Sequence, residues 1–317
     1  MLGVTALAFM GLPLLLPAAV LVDVVRLRLK LPTLRVYLFL LQYGFNDSVE
    51  IVLAPIYWLL AGFGRGLGSS TSIDRHQRLQ SWSVRLLVRR ADQLLGIKLS
   101  LADADRLELT PGPVIAISRH ASLFDASLPG LLCQQEGLAV RGVIMAELLA
   151  DPGFDLIYNR TGSVFIPRDR GSDAVAAIAA MASSASDNTA YVLFPEGRLF
   201  RPKVRDRLLG RLSESDPERA DRLSGLTGVL PPRPGGLQAL LETLPEADVV
   251  IIDHSGLDRY QGVADLLTLT PAREPVNVSI TRIPRSEVPT DAKAQVRWLD
   301  DRWLEIDQRL SAQQLTE

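Results

Sequence analysis

Cysteine is almost absent from this chain of 317 residues: Cys133 stands alone, so no disulfide can close within it. Its neighbours in LPGLLCQQEG read as an apolar helix face, which suits a buried, unreactive thiol. Histidine is also scarce. His76, His120 and His254 lie far apart, no Cys/His cluster has structural zinc spacing, and no metal is expected. Neither sign of charge is in excess, at a formal net −2, and Lys and Arg are dispersed without a basic tail. Nucleic acid is therefore not an expected partner. Lysine supplies only four of the thirty-four basic residues, an imbalance we assign to genome composition. No repeat with a period of roughly 20 to 50 residues is present.

What the chain does have is a long uncharged start. LGVTALAFMGLPLLLPAAVLV, residues 2–22, is about long enough to cross a hydrocarbon core as a helix. A cleaved signal peptide would carry its basic residues first; here Arg26, Arg28, Lys30 and Arg35 follow the apolar run. That order favours an uncleaved anchor with residue 26 onward in the cytoplasm. VYLFLLQYGF (36–45) and IVLAPIYWLLAGFG (51–64) are each short for a span and are separated by NDSVE, which suggests a shallow re-entrant hairpin. A buried hairpin in a soluble core is the competing reading. The chain accordingly divides into a membrane anchor, 1–65, and a second domain, 70–317, joined by GLGSSTS at 66–72. Ser72 or Thr71 is placed to cap the next helix, whose apolar positions are Leu79, Trp82, Leu86, Leu87 and Leu94.

Beyond that helix, short apolar runs alternate with helical patterns: PVIAIS (113–118), AVRGVIM (139–145), GSVFIP (162–167), AYVLF (190–194) and DVVIID (248–253). Alternation of this kind predicts an α/β fold, a mixed, largely parallel sheet flanked by helices, with membrane helices N-terminal to it. A charged stretch at 201–227 reads as an exposed loop or short helices, and 290–315 as an amphipathic helix carrying Val296, Leu299, Trp303, Ile306 and Leu310 on one side.

Loops that follow strands are where open α/β sheets bind ligands. SRHASLFD follows the run 113–118 and places His120 five residues before Asp125. A histidine is a general base near neutral pH, and a carboxylate on its second nitrogen fixes the tautomer and stabilises the imidazolium. Taken alone, the pair reads more readily as a loop histidine beside a helix-capping aspartate. Ser118, Ser122 and Ser127 are nearby hydroxyls, but none lies in a GxSxG elbow.

With the other strand ends included, the chain resembles the glycerolipid acyltransferase family of the lysophosphatidic acid acyltransferase type. HxxxxD corresponds to His120 and Asp125, a GxxFIxR-like block to Gly162–Arg168, FPEGTR to Phe194–Arg198, and a proline block to Gly228–Gly236. Residues 276–310 are similar to the lysocardiolipin and lysophosphatidylinositol branch, so the resemblance covers roughly 110–312. It implies O-acyl transfer from an acyl-CoA or acyl carrier protein thioester to a lysophospholipid, with His120 as base, Asp125 as its orienting group and no cofactor. Arg168, Glu196, Gly197, Arg198 and Arg233 become substrate-binding candidates, the arginines because guanidinium offers paired donors to phosphate. Two departures stand out: Arg119 occupies the usual Asn position, and the Thr after PEG is missing. A membrane location with the catalytic domain on the cytoplasmic face follows from the anchor. Thioester or lipid hydrolysis, and lipid binding without catalysis, are the alternatives.

Overall fold

The structure, a computed structural model, describes residues 2–101, 112–167, 171–184 and 188–314. Two compact units divide the chain: Met1–Ser100 with Ala139–Asp169 and Gly262–Asn277, and Leu101–Leu138 with Arg170–Gln261 and Val278–Glu317. This partition differs from a boundary near 65–70, because the N-terminal helices take later segments into their own unit.

The first unit opens with α1 (Leu2–Met10) and α2 (Leu12–Val25), bent by 71° about Gly11. Pro13 lacks the N–H that would continue the ladder across the bend. Among the described residues no single helix is long and apolar enough to cross a membrane, although this bent pair passes together on length and composition. The straight span expected over 2–22 is thus replaced by two helices.

Next comes α3 (Pro32–Leu60), one helix of 29 residues where a re-entrant hairpin was expected. The correction has a physical cause, since every polar residue of NDSVE that would have ended a helix finds a partner inside this unit. Ser48 Oγ donates back to the Gly44 carbonyl at 2.7 Å. Asn46 Nδ2 donates to Ser83 O at 3.0 Å in α4 (Ser70–Arg90), and Asp47 Oδ1 accepts the Gly153 amide at 3.1 Å. At its N-terminus, α3 borrows a cap from the preceding helix: the buried Asp23 carboxylate accepts the amides of Thr33 and Leu34, each at 3.1 Å. In α4 the capping residue is Ser69, whose side chain accepts from Ser72 N, rather than Ser72 or Thr71. Trp82 lies on the exposed side of α4 with Arg78, Arg85 and Arg89, not among the apolar contacts.

After β1 (Leu99–Leu101), β2 (Val114–Ser118) and α5 (Leu128–Gln135), β3 (Ala139–Met145) and β4 (Val164–Ile166) form a parallel pair in the first unit, connected by α6 (Pro152–Arg160). The second unit continues with α7 (Gly171–Ser183), β5 (Thr189–Leu193), α8 (Pro202–Ser215), α9 (Pro217–Leu223), α10 (Gly235–Thr243) and β6 (Asp248–Ser255). Following α11 (Val263–Leu269) are β7 (Val276–Ile283) and α12 (Ala292–Gln314).

In the second unit β2 is central and pairs in parallel with β5 on one side and β6 on the other. All five residues of β2 and of β5 are buried. Burial on both faces is what a parallel sheet covered by helices requires, and it explains why these strands read as continuous apolar runs rather than alternations. The architecture is the expected α/β one, a mostly parallel sheet flanked by helices. Along α12, Leu299, Trp303 and Ile306 are fully buried and Val296 is half-buried. The charged stretch 201–227 folds as α8 and α9.

Candidate active site

Three parallel strands, β5, β2 and β6, end side by side, so the loops that follow them converge. From β2 the chain runs through Arg119 and His120 to a 3₁₀ turn at Asp125–Ser127 and into α5. Asp125 dictates the shape of this loop. Its Oδ2 accepts the amides of Ala121 at 2.5 Å and Ser122 at 2.7 Å, while Oδ1 accepts from His120 Nδ1 at 2.6 Å. One carboxylate both folds the loop and orients the ring. An ionised carboxylate can only accept, so Nδ1 carries the hydrogen and Nε2 keeps its lone pair, the tautomer a general base needs.

The helix-cap reading of Asp125 does not hold: Phe124 and Ser127 are the N-cap positions, and neither makes a side-chain cap bond. The His120 side chain is 16% exposed and that of Asp125 is 0%, so the imidazole reaches the surface while its partner stays dry. Burial pushes the Asp125 carboxyl upward, yet hydrogen bonds from His120 and His254 outweigh it and hold the group well below the usual carboxylate range.

The loop after β5 supplies the third block. Phe194 packs on the His120 ring, with centroids 4.5 Å apart. Glu196 requires correction as a substrate-binding candidate. It is fully buried, Oε1 accepts the His120 amide at 2.9 Å, and Oε2 accepts the Leu230 amide at 2.9 Å. Both oxygens are thereby committed to tying the histidine loop to the proline block. Burial pushes its carboxyl up to about 7, against the two amides that favour the anion. Gly197 is exposed at φ +62°, a left-handed turn whose amide donates to Phe194 O at 2.9 Å. The Arg233 side chain passes beside it, Cδ lying 3.6 Å from where a Gly197 Cβ would stand, and the Arg233 amide donates to Pro195 O at 2.8 Å. Gly197, the half-buried Arg198 and the exposed Arg233 thus form the accessible part of this cluster. Gly162–Pro167 belongs to the first unit, and Arg168 lies outside the described residues.

Arg119 is turned inward at 2% exposure. Its guanidinium donates to the carbonyls of His254 at 2.6 Å and Gly228 at 3.2 Å, so it braces the loops rather than facing a headgroup. The three nearby serines are buried or occupied: Ser118 Oγ donates to Arg119 O at 3.2 Å, Ser122 Oγ to Tyr260 O at 2.5 Å and Ser127 Oγ to Phe124 O at 3.3 Å. Cys133 is buried, and burial pushes its thiol up to about 12.

His254, at the end of β6, was missed. It approaches the second Asp125 oxygen, with Nε2 3.2 Å from Oδ2. The available signal was the rule that picked out His120, a polar residue directly following an apolar strand run.

A family model described as Acyltransferase matches residues 103–254. No curated protein matches. Among solved structures, the crystal structure of the 1-acyl-sn-glycerophosphate (LPA) acyltransferase PlsC from Thermotoga maritima is similar, at 14% identity and a TM-score of 0.48, covering 85% of this chain and 97% of that one.

Proposed function

We propose that this chain, whose residues 103–254 match a family model described as Acyltransferase, moves a fatty acyl group from a thioester, acyl-CoA or acyl carrier protein, to the hydroxyl of a lysophospholipid of the lysophosphatidic acid type. The observation that carries the mechanism is the 2.6 Å contact from His120 Nδ1 to a buried Asp125 whose other oxygen is held by backbone amides. Nε2 removes the proton from the acceptor hydroxyl as its oxygen attacks the thioester carbonyl. Collapse of the tetrahedral intermediate expels the thiolate, which takes the proton back from the imidazolium. A thioester is already activated, so direct transfer needs no enzyme nucleophile; the inward-turned serines and the buried Cys133 are consistent with that route.

A phosphate on the acceptor gives the exposed Arg233 and the half-buried Arg198 a ligand, with Gly197 letting backbone approach it closely. Arg168 is assigned the same task from the sequence motif alone. We further propose that α1 and α2 hold the enzyme on a bilayer, from which both lipid substrates are drawn. Support comes from their unpartnered apolar side chains, Leu14 at 78%, Leu21 at 62% and Val25 at 73% exposure. Arg26, Arg28 and Lys30 directly after them support a cytoplasmic face for the catalytic unit.

The test is to offer purified enzyme a panel of lysophospholipids with one labelled acyl-CoA and to identify the product by mass spectrometry. Labelled phosphatidic acid or another diacyl phospholipid is expected, lost in His120→Ala. Label recovered only as free fatty acid makes the enzyme a hydrolase, and full turnover by folded His120→Ala removes the base.

A further inference from the structure

His254 closes the C-terminal end of β6 at 1% exposure. Its Nε2 lies 3.2 Å from Asp125 Oδ2, on the oxygen opposite the one that holds His120. Facing a carboxylate, Nε2 must carry the hydrogen. Nδ1 then bears only its lone pair, and it is buried without a partner among the described residues. A protonated ring there would bury a second cation beside Arg119; burial first, and Arg119 with it, pushes the ring's pKa down despite Asp125. His254 is therefore a neutral donor.

Its own position is fixed by the motif it serves. The Arg119 guanidinium donates to the His254 carbonyl at 2.6 Å, so the residue before the base holds the residue behind the carboxylate. Ser122 Oγ, on the same loop, reaches Tyr260 O at 2.5 Å and ties down the segment after β6. The amides of Ala121 and Ser122 that also reach Oδ2 belong to the loop and move with it. His254 comes from a neighbouring strand, and is the contact that references the carboxylate to the sheet.

We propose that His254 is a positioning residue for the acyl transfer: its Nε2–H fixes the plane of the Asp125 carboxylate, so that Oδ1 stays aligned on His120 Nδ1 while the ring takes up and returns its proton. The proposal rests on reading His120 as the base. Buried as it is, His254 has no surface to offer a substrate, so its loss is expected in kcat and not in the acceptor KM.

The test compares His254→Gln, His254→Asn and His120→Ala in the detergent-solubilised full-length enzyme, reading kcat, acceptor KM and Tm. Glutamine puts an amide nitrogen where Nε2 sits; asparagine ends at the Nδ1 position, short of Asp125. We expect His254→Gln to stay within about threefold of wild-type kcat and His254→Asn to lose roughly ten- to hundredfold at unchanged KM, the size of a lost hydrogen bond to a buried charge. Wild-type kcat in folded His254→Asn, or equal losses in both variants, overturns the proposal and leaves His120 standing. An active His120→Ala overturns the underlying reading instead. Should His254→Asn not fold, His254→Gln decides alone: a folded protein down about tenfold or more refutes the role, and one within about threefold upholds it.

Discussion

At the scale of single residues, the site is built from groups whose task depends on which way they point. Arg119 and Glu196 are charged residues within two of the most diagnostic stretches of the chain, and both face inward onto backbone. Replacing Arg119 with Met leaves one buried and one half-buried carbonyl without their donor and is expected to cost about 2–4 kcal/mol. The order of preference among lysolipids should not change, which denaturant unfolding and the lipid panel check together. Glu196 makes a pH prediction. Its folded pKa, near 7, lies above the unfolded value of about 4.3, so its contribution is complete below that value and is lost as pH rises toward 7. Glu196→Gln removes the titration but leaves one amide poorly matched. The Tm gap in favour of wild type should therefore be wide at pH 5 and narrower at pH 8; a gap that widens contradicts the assignment. Asp125 runs the other way, its stabilisation present above the ordinary aspartate range and lost as pH falls below it.

At the scale of elements, helix ends and helix interiors were read with unequal success. The amphipathic pattern of α12 and the apolar runs of β2, β5 and β6 were legible because burial of one stripe, or of a whole strand, leaves its period in the sequence. NDSVE was not, because its polar residues signal a break locally and are satisfied only by groups on α4 and α6, distant in sequence. Capping of α4 is a sharper case. Ser69, Ser70, Thr71 and Ser72 all qualify by type, and only the backbone shows that Ser69 is extended at ψ 150° while Ser72 is inside the helix and buried. Ser69→Ala should cost about 1 kcal/mol, against little or nothing for Ser72→Ala. Thermal melts of the two variants side by side separate them.

For the molecule as a whole, the question is what the N-terminal helices do for the unit that carries His120. If α1 and α2 hold the bilayer, Leu14→Arg and Leu21→Arg together should move the protein from the membrane pellet toward the supernatant, each charge costing about 2.5–3.5 kcal/mol in a lipid-facing position. Retention of the double variant on vesicles at high salt argues against anchoring by this pair. Detergent-assayed turnover should be unaffected, since neither residue belongs to the unit that carries His120.

The α/β class, the strand runs and the His120–Asp125 pair are legible in the residues alone, because these depend on local period, on residue chemistry and on blocks in a fixed order. Which charged side chains meet solvent and which meet backbone is set by the fold. Arg119, Glu196 and His254 all lie beside the His120–Asp125 pair, yet each is oriented by partners 34 to 135 residues away. Orientation of a buried polar group is set by whichever unpaired donor or acceptor the fold brings to it, and no local pattern encodes that meeting.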